Sequence, residues 1–267
     1  MLFDAHNHLQ EEALAPHLQG MLSDLQGIGL ERAVVNGTSE ADWERVAALA
    51  EAHPWIIPSY GLHPWFLKTR TPHWRERLLA HLDTGRAAVG EIGLDRWIEG
   101  FDLPDQIEVF EWQLGLATRQ NLPVSIHCLK AWGALWDSLR TQALPECGFL
   151  LHAYGGPAEM VTGFVQRGAY FSFSGHFLNA RKAAHRDIFR EIPADRLLVE
   201  TDAPDMQLPP ERVHFALPHT PEGRVLNHPA NLLAIYEDLA ELRDWPLKNL
   251  TDQVAENFTR LFGRLGR

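Results

Sequence analysis

The chain has 267 residues, of which 45% are hydrophobic and 22% are charged, and its formal net charge at pH 7 is −11. The hydrophobic fraction excludes a disordered or low-complexity protein. The acidic balance argues against a general nucleic-acid coat protein, because such a protein needs a basic face to displace phosphate counterions. We therefore expect a globular protein with a sizeable core.

Cysteine content and apolar runs bear on the cellular location. The two cysteines, Cys128 and Cys147, cannot form a disulfide framework, which is typical of a reducing compartment. No apolar run reaches the roughly 18 residues that span a membrane. The first residues, Met1–His6, lack the basic region and apolar core of a signal peptide. These features predict a cytoplasmic protein that does not associate with a membrane.

Short apolar or β-branched runs alternate with longer stretches of helical period along the chain. Strands are predicted, in chain order, at Leu2–His6, Ala33–Gly37, Ile56–Gly61, Ala87–Ile92, Val124–His127, Phe149–His152, Ala169–Phe173 and Leu197–Glu200. Helices are predicted at Ala13–Ile28, Glu40–Ala52, Trp74–Leu82, Gln106–Gln120, Ala131–Arg140, Ala158–Arg167, Lys182–Glu191, Ala230–Leu242 and Leu247–Leu265. The triplet Thr38-Ser39-Glu40 predicts the cap of the second helix, and Pro104 with Asp105 predicts the start of the fourth.

Eight strand–helix units within about 250 residues indicate an α/β fold of the (β/α)₈ TIM-barrel type, with a doubly wound sheet as the alternative. No linker or change of composition divides the chain, so residues 1–267 are predicted to form a single domain. The long irregular stretch Ala203–His228 contains five prolines and is predicted to be a loop on the substrate side. An open groove there would favour a polymeric substrate, and a closed pocket a small one.

Histidines and carboxylates recur where the predicted strands end, which is where the chemistry of a barrel is located. Each has an ordinary structural reading when taken alone: a hydrogen-bonded rim histidine, an ion-paired glutamate, or a helix-capping aspartate. Their joint occurrence at one end of the strands indicates a metal site instead. The candidate ligands are His6, His8, Glu91, His127, His152 and Asp202.

Six nitrogen and oxygen ligands are too many for one catalytic zinc ion, which takes about three protein ligands. They suit two ions about 3.5–4 Å apart that share a carboxylate and a bridging hydroxide. Mixed imidazole and carboxylate ligation favours Zn, Mn, Fe or Co. Magnesium prefers oxygen ligands and is kept as an alternative ion for this site. Bound cations would also allow an acidic protein to bind a phosphate.

The same residues belong to motifs of a known family. In chain order these are Asp4-Ala5-His6-Asn7-His8, Gly61-Leu62-His63-Pro64, Gly90-Glu91-Ile92-Gly93-Leu94-Asp95, His127, His152-Ala153-Tyr154-Gly155-Gly156, Phe173-Ser174-Gly175 and Glu200-Thr201-Asp202-Ala203-Pro204. Over essentially its whole length the chain resembles the TatD-type metal-dependent hydrolases, often called TatD deoxyribonucleases, within the amidohydrolase-like barrels. The resemblance implies a TIM-barrel phosphoesterase with two divalent ions, which would be Zn, Mn or Mg.

On the family pattern, His6, His8 and Asp202 hold the first ion, Glu91 bridges, and His127 and His152 hold the second. A metal-bridging hydroxide would attack a phosphodiester phosphorus, with Asp202 as the general base and Glu91 as the second catalytic carboxylate. The family pattern also implies that His63 contacts the substrate phosphate. We predict a similar role for His176, which follows the seventh strand.

Two departures from the family pattern affect the substrate more than the metal site. Leu129 stands where many members have an arginine, and His228 replaces the glutamate of an Asn-Glu-Pro motif. The expected substrate is DNA or a small phosphoester, with no obligate protein partner. A dinuclear hydrolase of a small phosphoester, lactone or amide remains an alternative, as does a metal-binding barrel without catalysis. Aromatic and basic residues after several strands would suit nucleic acid: Trp65, Phe66, Trp97, Phe101, Phe177, Arg96, Lys130, Arg181 and Lys182.

Overall fold

Eight parallel strands form one sheet in which each strand pairs with the next along the chain. The computed structural model describes residues 1–83 and 85–266. The strands are β1 (Leu2–Asn7), β2 (Leu30–Asn36), β3 (Ile56–Tyr60), β4 (Ala88–Asp95), β5 (Val124–Leu129), β6 (Phe149–Leu151), β7 (Ala169–Ser174) and β8 (Leu197–Glu200). The sheet curls until its outer strands meet, so the predicted (β/α)₈ barrel is confirmed.

Backbone hydrogen bonds join β8 and β1 where the barrel closes. The amide of Asp202 donates to the carbonyl of His6 at 3.0 Å, and the amide of His8 donates to the carbonyl of Ala203 at 2.8 Å. Below them, the buried carboxylate of Asp4 accepts hydrogen bonds from the Thr201 amide at 3.0 Å and from its hydroxyl at 2.6 Å. Residues from the two ends of the chain are thereby held side by side.

The helices follow the strands, as the alternation predicts. They are α1 (Leu18–Gly27), α2 (Trp43–Ala52), α3 (Trp74–Leu82), α4 (Leu103–Gln120), α5 (Trp132–Thr141), α6 (Val161–Gln166), α7 (Ala183–Ile188), α8 (Leu232–Leu242) and α9 (Leu247–Phe262). Several begin later than predicted because a 3₁₀ turn precedes them, as at Glu12–His17, Ala158–Met160 and Pro229–Asn231. No helix in the described ranges is long and apolar enough to cross a membrane.

Two helices, α2 and α4, start at residues other than those predicted, and an aspartate immediately precedes each of them. The carboxylate of Asp42 accepts hydrogen bonds from the amides of Thr38 at 3.0 Å and Ser39 at 3.1 Å, and α2 begins only at Trp43. The carboxylate of Asp102 accepts from the Asp105 amide at 3.1 Å, so α4 begins earlier than predicted. The side chain of Asp102 therefore caps α4, whereas that of Asp42 makes no capping hydrogen bond to α2 and satisfies donors in the loop before that helix.

β4 extends three residues beyond its predicted end and carries functional side chains along its inner face. Its pairing with β5 places Gly93 opposite His127. A Cβ atom on Gly93 would lie 1.9 Å from the carbonyl oxygen of His127, so only glycine fits there. This close approach brings Glu91 and His127 to the same end of the barrel.

Candidate active site

Glu91 is 3% exposed and lies at the centre of the residues predicted as metal ligands. Its Oε2 atom is 3.5 Å from Nε2 of His6 and 3.3 Å from Nε2 of His8. Its Oε1 atom is 2.9 Å from Nε2 of His152 and 3.1 Å from Nδ1 of His127. The two oxygens of one carboxylate therefore face two different sets of imidazoles, as a carboxylate shared by two ions would.

Asp202 approaches the same imidazoles from the end of β8. Its Oδ1 atom lies 3.5 Å from Nε2 of His6 and 3.4 Å from Nε2 of His8. Its backbone φ angle is +50°, in the left-handed region that non-glycine residues rarely occupy, and this conformation aims the side chain at the histidine pair. The carboxylates of Asp202 and Glu91 thus flank the two histidines of β1.

His63 also joins the cluster. Its Nε2 atom lies 3.5 Å from Oε1 of Glu91, and its ring meets that of His127 edge-to-face with centroids 4.5 Å apart. Among the described residues, three donor sets are compact enough to hold an ion, with ligand atoms all within 4.8 Å of one another. They are His6, His152 and Asp202; His6, His8 and Glu91; and His63, Glu91 and His127.

This grouping differs from the one that the resemblance implies. The ring of His152 stacks on that of His6 with centroids 4.1 Å apart, so His152 faces both the first-ion residues and Glu91. His63, predicted as a substrate contact, lies 3.5 Å from the Glu91 carboxylate, the same distance as the predicted ligand His6. The structure brings the six predicted ligands together, and their division between two ions stays a prediction.

His176 stands apart from this cluster. It lies in a 3₁₀ turn, Gly175–Leu178, that follows β7, and its ring belongs to none of the three donor sets found in the described residues. Burial, together with the nearby cations Lys182 and Arg181, lowers the pKa of His176 to about 4. A neutral imidazole near the rim is compatible with the predicted substrate contact and offers no fixed positive charge.

Protein acceptors hold the outer nitrogens of two site histidines. Nδ1 of His8 lies 2.7 Å from the carbonyl oxygen of Asn36, and Nε2 of His127 lies 2.9 Å from Oδ2 of Asp95. Neither acceptor has a proton to give, so each of these nitrogens carries the proton. The opposite nitrogen, which faces Glu91, then presents a lone pair when the ring is neutral. Metal-ligating histidines are commonly oriented in this way.

His6 and His152 have polar partners on their outer nitrogens as well. Nδ1 of His6 is 2.7 Å from the hydroxyl of Ser125, and Nδ1 of His152 is 3.5 Å from Oε1 of Glu200. Glu200 in turn accepts a short hydrogen bond from the hydroxyl of Ser172. A polar layer inside the barrel therefore lies beneath the predicted ligands: it hydrogen-bonds His6, and its Glu200 carboxylate lies near His152 without a hydrogen bond at Oε1 within the described residues.

Our sequence reading gave no role to Asp95, Ser125 or Glu200, although a signal for them was present. Asp95 lies four residues after Glu91 on β4, Ser125 lies two residues before His127 on β5, and Glu200 ends β8 two residues before Asp202. Alternate residues of a strand point to the same face, so these side chains had to face the barrel interior with the ligands. A polar residue at such a position, where an apolar one would be expected, indicates a partner for a ligand.

Charge in the cluster is concentrated on its carboxylates. Burial raises the pKa of Glu91, but the imidazoles of His63, His152 and His6 outweigh burial and hold that pKa well below its usual range. The pKa of Asp202 is also lowered, since its hydrogen bond with His8 and the nearby imidazoles outweigh burial. Both carboxylates are therefore ionised at neutral pH. Buried carboxylates among oriented imidazoles form a donor set that fits divalent cations.

Protons and metal ions are expected to compete for this site. Burial lowers the pKa of His8, His127 and His152, but neighbouring carboxylates reverse this and raise all three above the ordinary value. Because a histidine ligand must be neutral, these raised values mean that ion binding displaces protons at pH 7.

Metal affinity should therefore rise with pH. Calorimetric titration with Mn²⁺ in buffers of different ionisation enthalpy, at several pH values, would measure the proton release. An affinity independent of pH, with no release, would contradict this expectation.

Asp95→Asn is expected to weaken metal binding by about 10- to 100-fold, the usual effect of losing such a carboxylate behind a histidine ligand. Hydrogen bonds from His127 and Trp65 outweigh burial and lower the pKa of Asp95 to about 2, so it is a charged acceptor that asparagine cannot replace. Titration of Mn²⁺ into the variant would measure the loss. Asp137→Asn on α5, where the carboxylate is exposed and pairs with Arg140, is the matched control. Unchanged affinity in Asp95→Asn would show that His127 needs no such partner.

The family of the chain follows from comparison with known proteins. A model of the family described as TatD related DNase matches residues 3–263. The chain belongs to this family. The resemblance inferred from the motifs is thereby confirmed, and the protein is a TatD-family metal-dependent hydrolase with histidine and carboxylate clusters able to bind metal.

Individual members of the TatD family are similar over almost the full length. An uncharacterized metal-dependent hydrolase of Bacillus subtilis, YabD, is 32% identical, with 98% of this chain and 99% of the relative covered. A protein of Enterobacter lignolyticus named 3'-5' ssDNA/RNA exonuclease TatD is 31% identical, with 98% and 99% covered. The crystal structure of the TatD homologue YjjV from Escherichia coli superimposes with a TM-score of 0.88 at 29% identity, covering 98% of both chains.

Proposed function

We propose that this chain is a divalent-metal-dependent phosphodiesterase that cleaves single-stranded nucleic acid, with DNA as the expected substrate. The observation that supports this best is the position of Glu91, whose two carboxylate oxygens face two sets of imidazoles at 2.9–3.5 Å. Two-ion sites of this kind are typical of nucleases and phosphatases. The relative from Enterobacter lignolyticus, named as a single-strand exonuclease, supports the choice of substrate.

The residues proposed to hold the ions are those on the two sides of Glu91. His6, His8 and Asp202 would bind one ion, and His127 and His152 the other, with Glu91 shared. Two bound cations, Zn, Mn or Mg, would lower the pKa of a water molecule to near neutrality and neutralise charge on the phosphate. The side chains of His8 and His127 are 13% and 14% exposed, against 0% for His6 and 4% for Glu91, so solvent reaches the otherwise buried cluster at these two histidines.

Asp202 is the proposed general base. Its lowered pKa keeps the carboxylate ionised at neutral pH, and the side chain is 8% exposed at the carboxyl end of the barrel. It can therefore accept the proton of an attacking water molecule. A positioned base of this kind contributes about 10²–10⁴-fold to the rate.

His63 is proposed to donate a hydrogen bond to the substrate phosphate. Burial lowers its pKa to about 4, so the ring is neutral at pH 7. Its Nδ1 atom accepts a hydrogen bond from the backbone amide of Trp65 at 3.2 Å, which places the single ring proton on Nε2. Nε2 faces the cluster, and a nitrogen that carries a proton has no lone pair for a metal ion. This tautomer favours a substrate contact over a metal ligand.

Hydrolysis of 5'-labelled single-stranded DNA in the presence of Mn²⁺, Mg²⁺ or Zn²⁺ tests the proposed function. We expect a metal-dependent ladder of products from the wild-type protein and almost none from Asp202→Asn. The distribution of product lengths would show the direction of cutting. No cleavage by wild-type protein with two ions demonstrably bound would contradict a nuclease and indicate a small phosphoester, lactone or amide substrate.

A further inference from the structure

A cleft of about 350 Å³ lies beside the metal-ligand cluster, between the segments that follow β3 and β4. Its walls are residues 64–68 and 98–102, and Trp97 adjoins the second wall. Trp65, Trp97 and Phe101 are 47%, 59% and 38% exposed, and they are the exposed large aromatic side chains of the described residues. Exposed aromatic rings gathered next to a cleft are more typical of a binding surface than of packing.

One buried carboxylate connects this aromatic cleft to the metal-ligand cluster. Oδ1 of Asp95 accepts hydrogen bonds from the amides of Trp97 at 2.6 Å and Ile98 at 3.3 Å. Its Oδ2 atom accepts from the indole of Trp65 at 2.7 Å and from His127 at 2.9 Å. Asp95 therefore holds both walls of the cleft in a fixed position relative to a predicted metal ligand.

The distances show that the cleft and the cluster are continuous. The ring of Trp65 lies 5.3 Å from that of His63 and 6.3 Å from that of His127, measured between centroids. A strand whose phosphate lies near His63 would place an adjoining base over the aromatic walls.

Three cations follow the strands near the aromatic cleft, whose lining also carries the carboxylates of Glu99, Asp102 and Asp105. Lys68, Arg96 and Lys130 are exposed, and none of them forms an ion pair with any carboxylate in residues 1–83 and 85–266. The guanidinium of Arg96 lies 5.7 Å from the centroid of Phe101. Unpaired cations here, in a chain with a net charge of −11, provide local attraction for a phosphate backbone.

We infer that the aromatic cleft binds a nucleobase of a single-stranded nucleic acid by stacking on Trp97 and Phe101, next to the phosphate that is cleaved. The inference rests on the proposed function for the position of that phosphate. A base within a duplex is already stacked on its neighbours, so the cleft favours single strands. Stacking contacts the flat face of the base ring. Because all bases have such a face, discrimination between bases is expected to be weak.

Binding of a strand with and without its bases tests this inference. The probe is a fluorescein-labelled oligo(dT) with phosphorothioate linkages that resist hydrolysis, compared with an abasic strand of equal length and charge. Binding to the Mn²⁺-loaded protein is measured by fluorescence anisotropy. The double variant Trp97→Ala with Phe101→Ala should bind oligo(dT) about 5- to 100-fold more weakly, the usual effect of removing an aromatic stacking partner. Its affinity for the abasic strand should be unchanged.

Two further variants make the result specific. Trp97→Phe retains an aromatic face and should retain most of the affinity for oligo(dT). Leu79→Ala removes a side chain on α3 that is 40% exposed and lies outside the cleft, and it should change neither affinity. Unchanged oligo(dT) binding in the double variant, or equal losses on both strands, would overturn the inference.

The binding and cleavage measurements together distinguish failure of the nuclease proposal from failure of the base-binding inference. If wild-type protein binds oligo(dT) through Trp97 and Phe101 but does not cut an unmodified strand, base binding by the cleft is supported and the nuclease proposal is contradicted. If it cuts strands but binds the abasic and base-bearing probes equally, the proposed function stands and the cleft has no role in recognising bases.

Discussion

Asp202→Asn is expected to lower the rate of metal-dependent phosphodiester cleavage by about 10²–10⁴-fold, the usual contribution of a positioned base. The substitution keeps the size of the side chain and removes its negative charge. The Asp202 carboxylate lies 3.4–3.5 Å from the paired nitrogens of His6 and His8, so the variant also loses a charged donor for the ion held there. Steady-state cleavage of labelled single-stranded DNA at saturating Mn²⁺ measures the effect.

Two measurements separate loss of the base from loss of the ion or of the fold. Asp205→Asn is the matched control, because Asp205 follows in the same segment and pairs with Arg224 at 2.9 Å. It should cleave at nearly the wild-type rate. Ions bound per chain and the thermal unfolding midpoint should be recorded for both variants. Turnover within a few-fold of wild type in Asp202→Asn would contradict its assignment as the base.

Glu91→Ala is expected to remove at least one of two bound ions and to abolish detectable cleavage. Its carboxylate supplies an oxygen to each side of the cluster, so its loss is expected to disturb the ligands on both sides. Five nearby imidazoles would also lose the negative charge that favours a cation among them. Metal content by elemental analysis, after equilibration with excess Mn²⁺ and desalting, gives the ratio of ions to chains.

Because alanine leaves a cavity at a buried position, Glu91→Gln provides a variant of equal size. It keeps one carbonyl oxygen and no charge, so it should also hold fewer ions than wild type while unfolding near the wild-type temperature. Glu108→Gln on α4, whose side chain is 71% exposed, controls for the loss of one acidic group. Two tightly held ions in either Glu91 variant would show that Glu91 is not shared between them.

The barrel could be predicted because it depends on local patterns. Strand-forming and helix-forming stretches alternate eight times, and each predicted strand is present. The errors lie at the ends of helices and strands, because contacts with side chains and backbone of other segments determine which residue begins or ends each element. The Asp42 carboxylate binds the amides of Thr38 and Ser39 in the loop before α2, so the helix does not start at the predicted Thr38-Ser39-Glu40 pattern, and the pairing with β5 extends β4 to Asp95.

Membership of the site could be predicted in the same way, and its internal arrangement could not. His6 and His8 face the same side because they are two apart at the end of β1, and their Nε2 atoms are 3.2 Å from each other. Which nitrogen of His63 carries the proton depends on the amide of Trp65, and this bond forms only once the chain turns after β3. The role of Asp95 depends on four partners from three segments.

The sequence by itself determined the eightfold alternation, the family and the set of side chains that gather at one end of the barrel. It could do so because parallel strands in chain order place all their carboxyl ends on the same face. Only the tertiary structure decided how those side chains are divided around Glu91, which imidazole nitrogens face inward, and that Trp65 and Trp97 share Asp95 with His127. These features depend on distances of a few ångströms between residues far apart in the chain. Such distances are set by the packing of the whole barrel and leave no local pattern in the sequence.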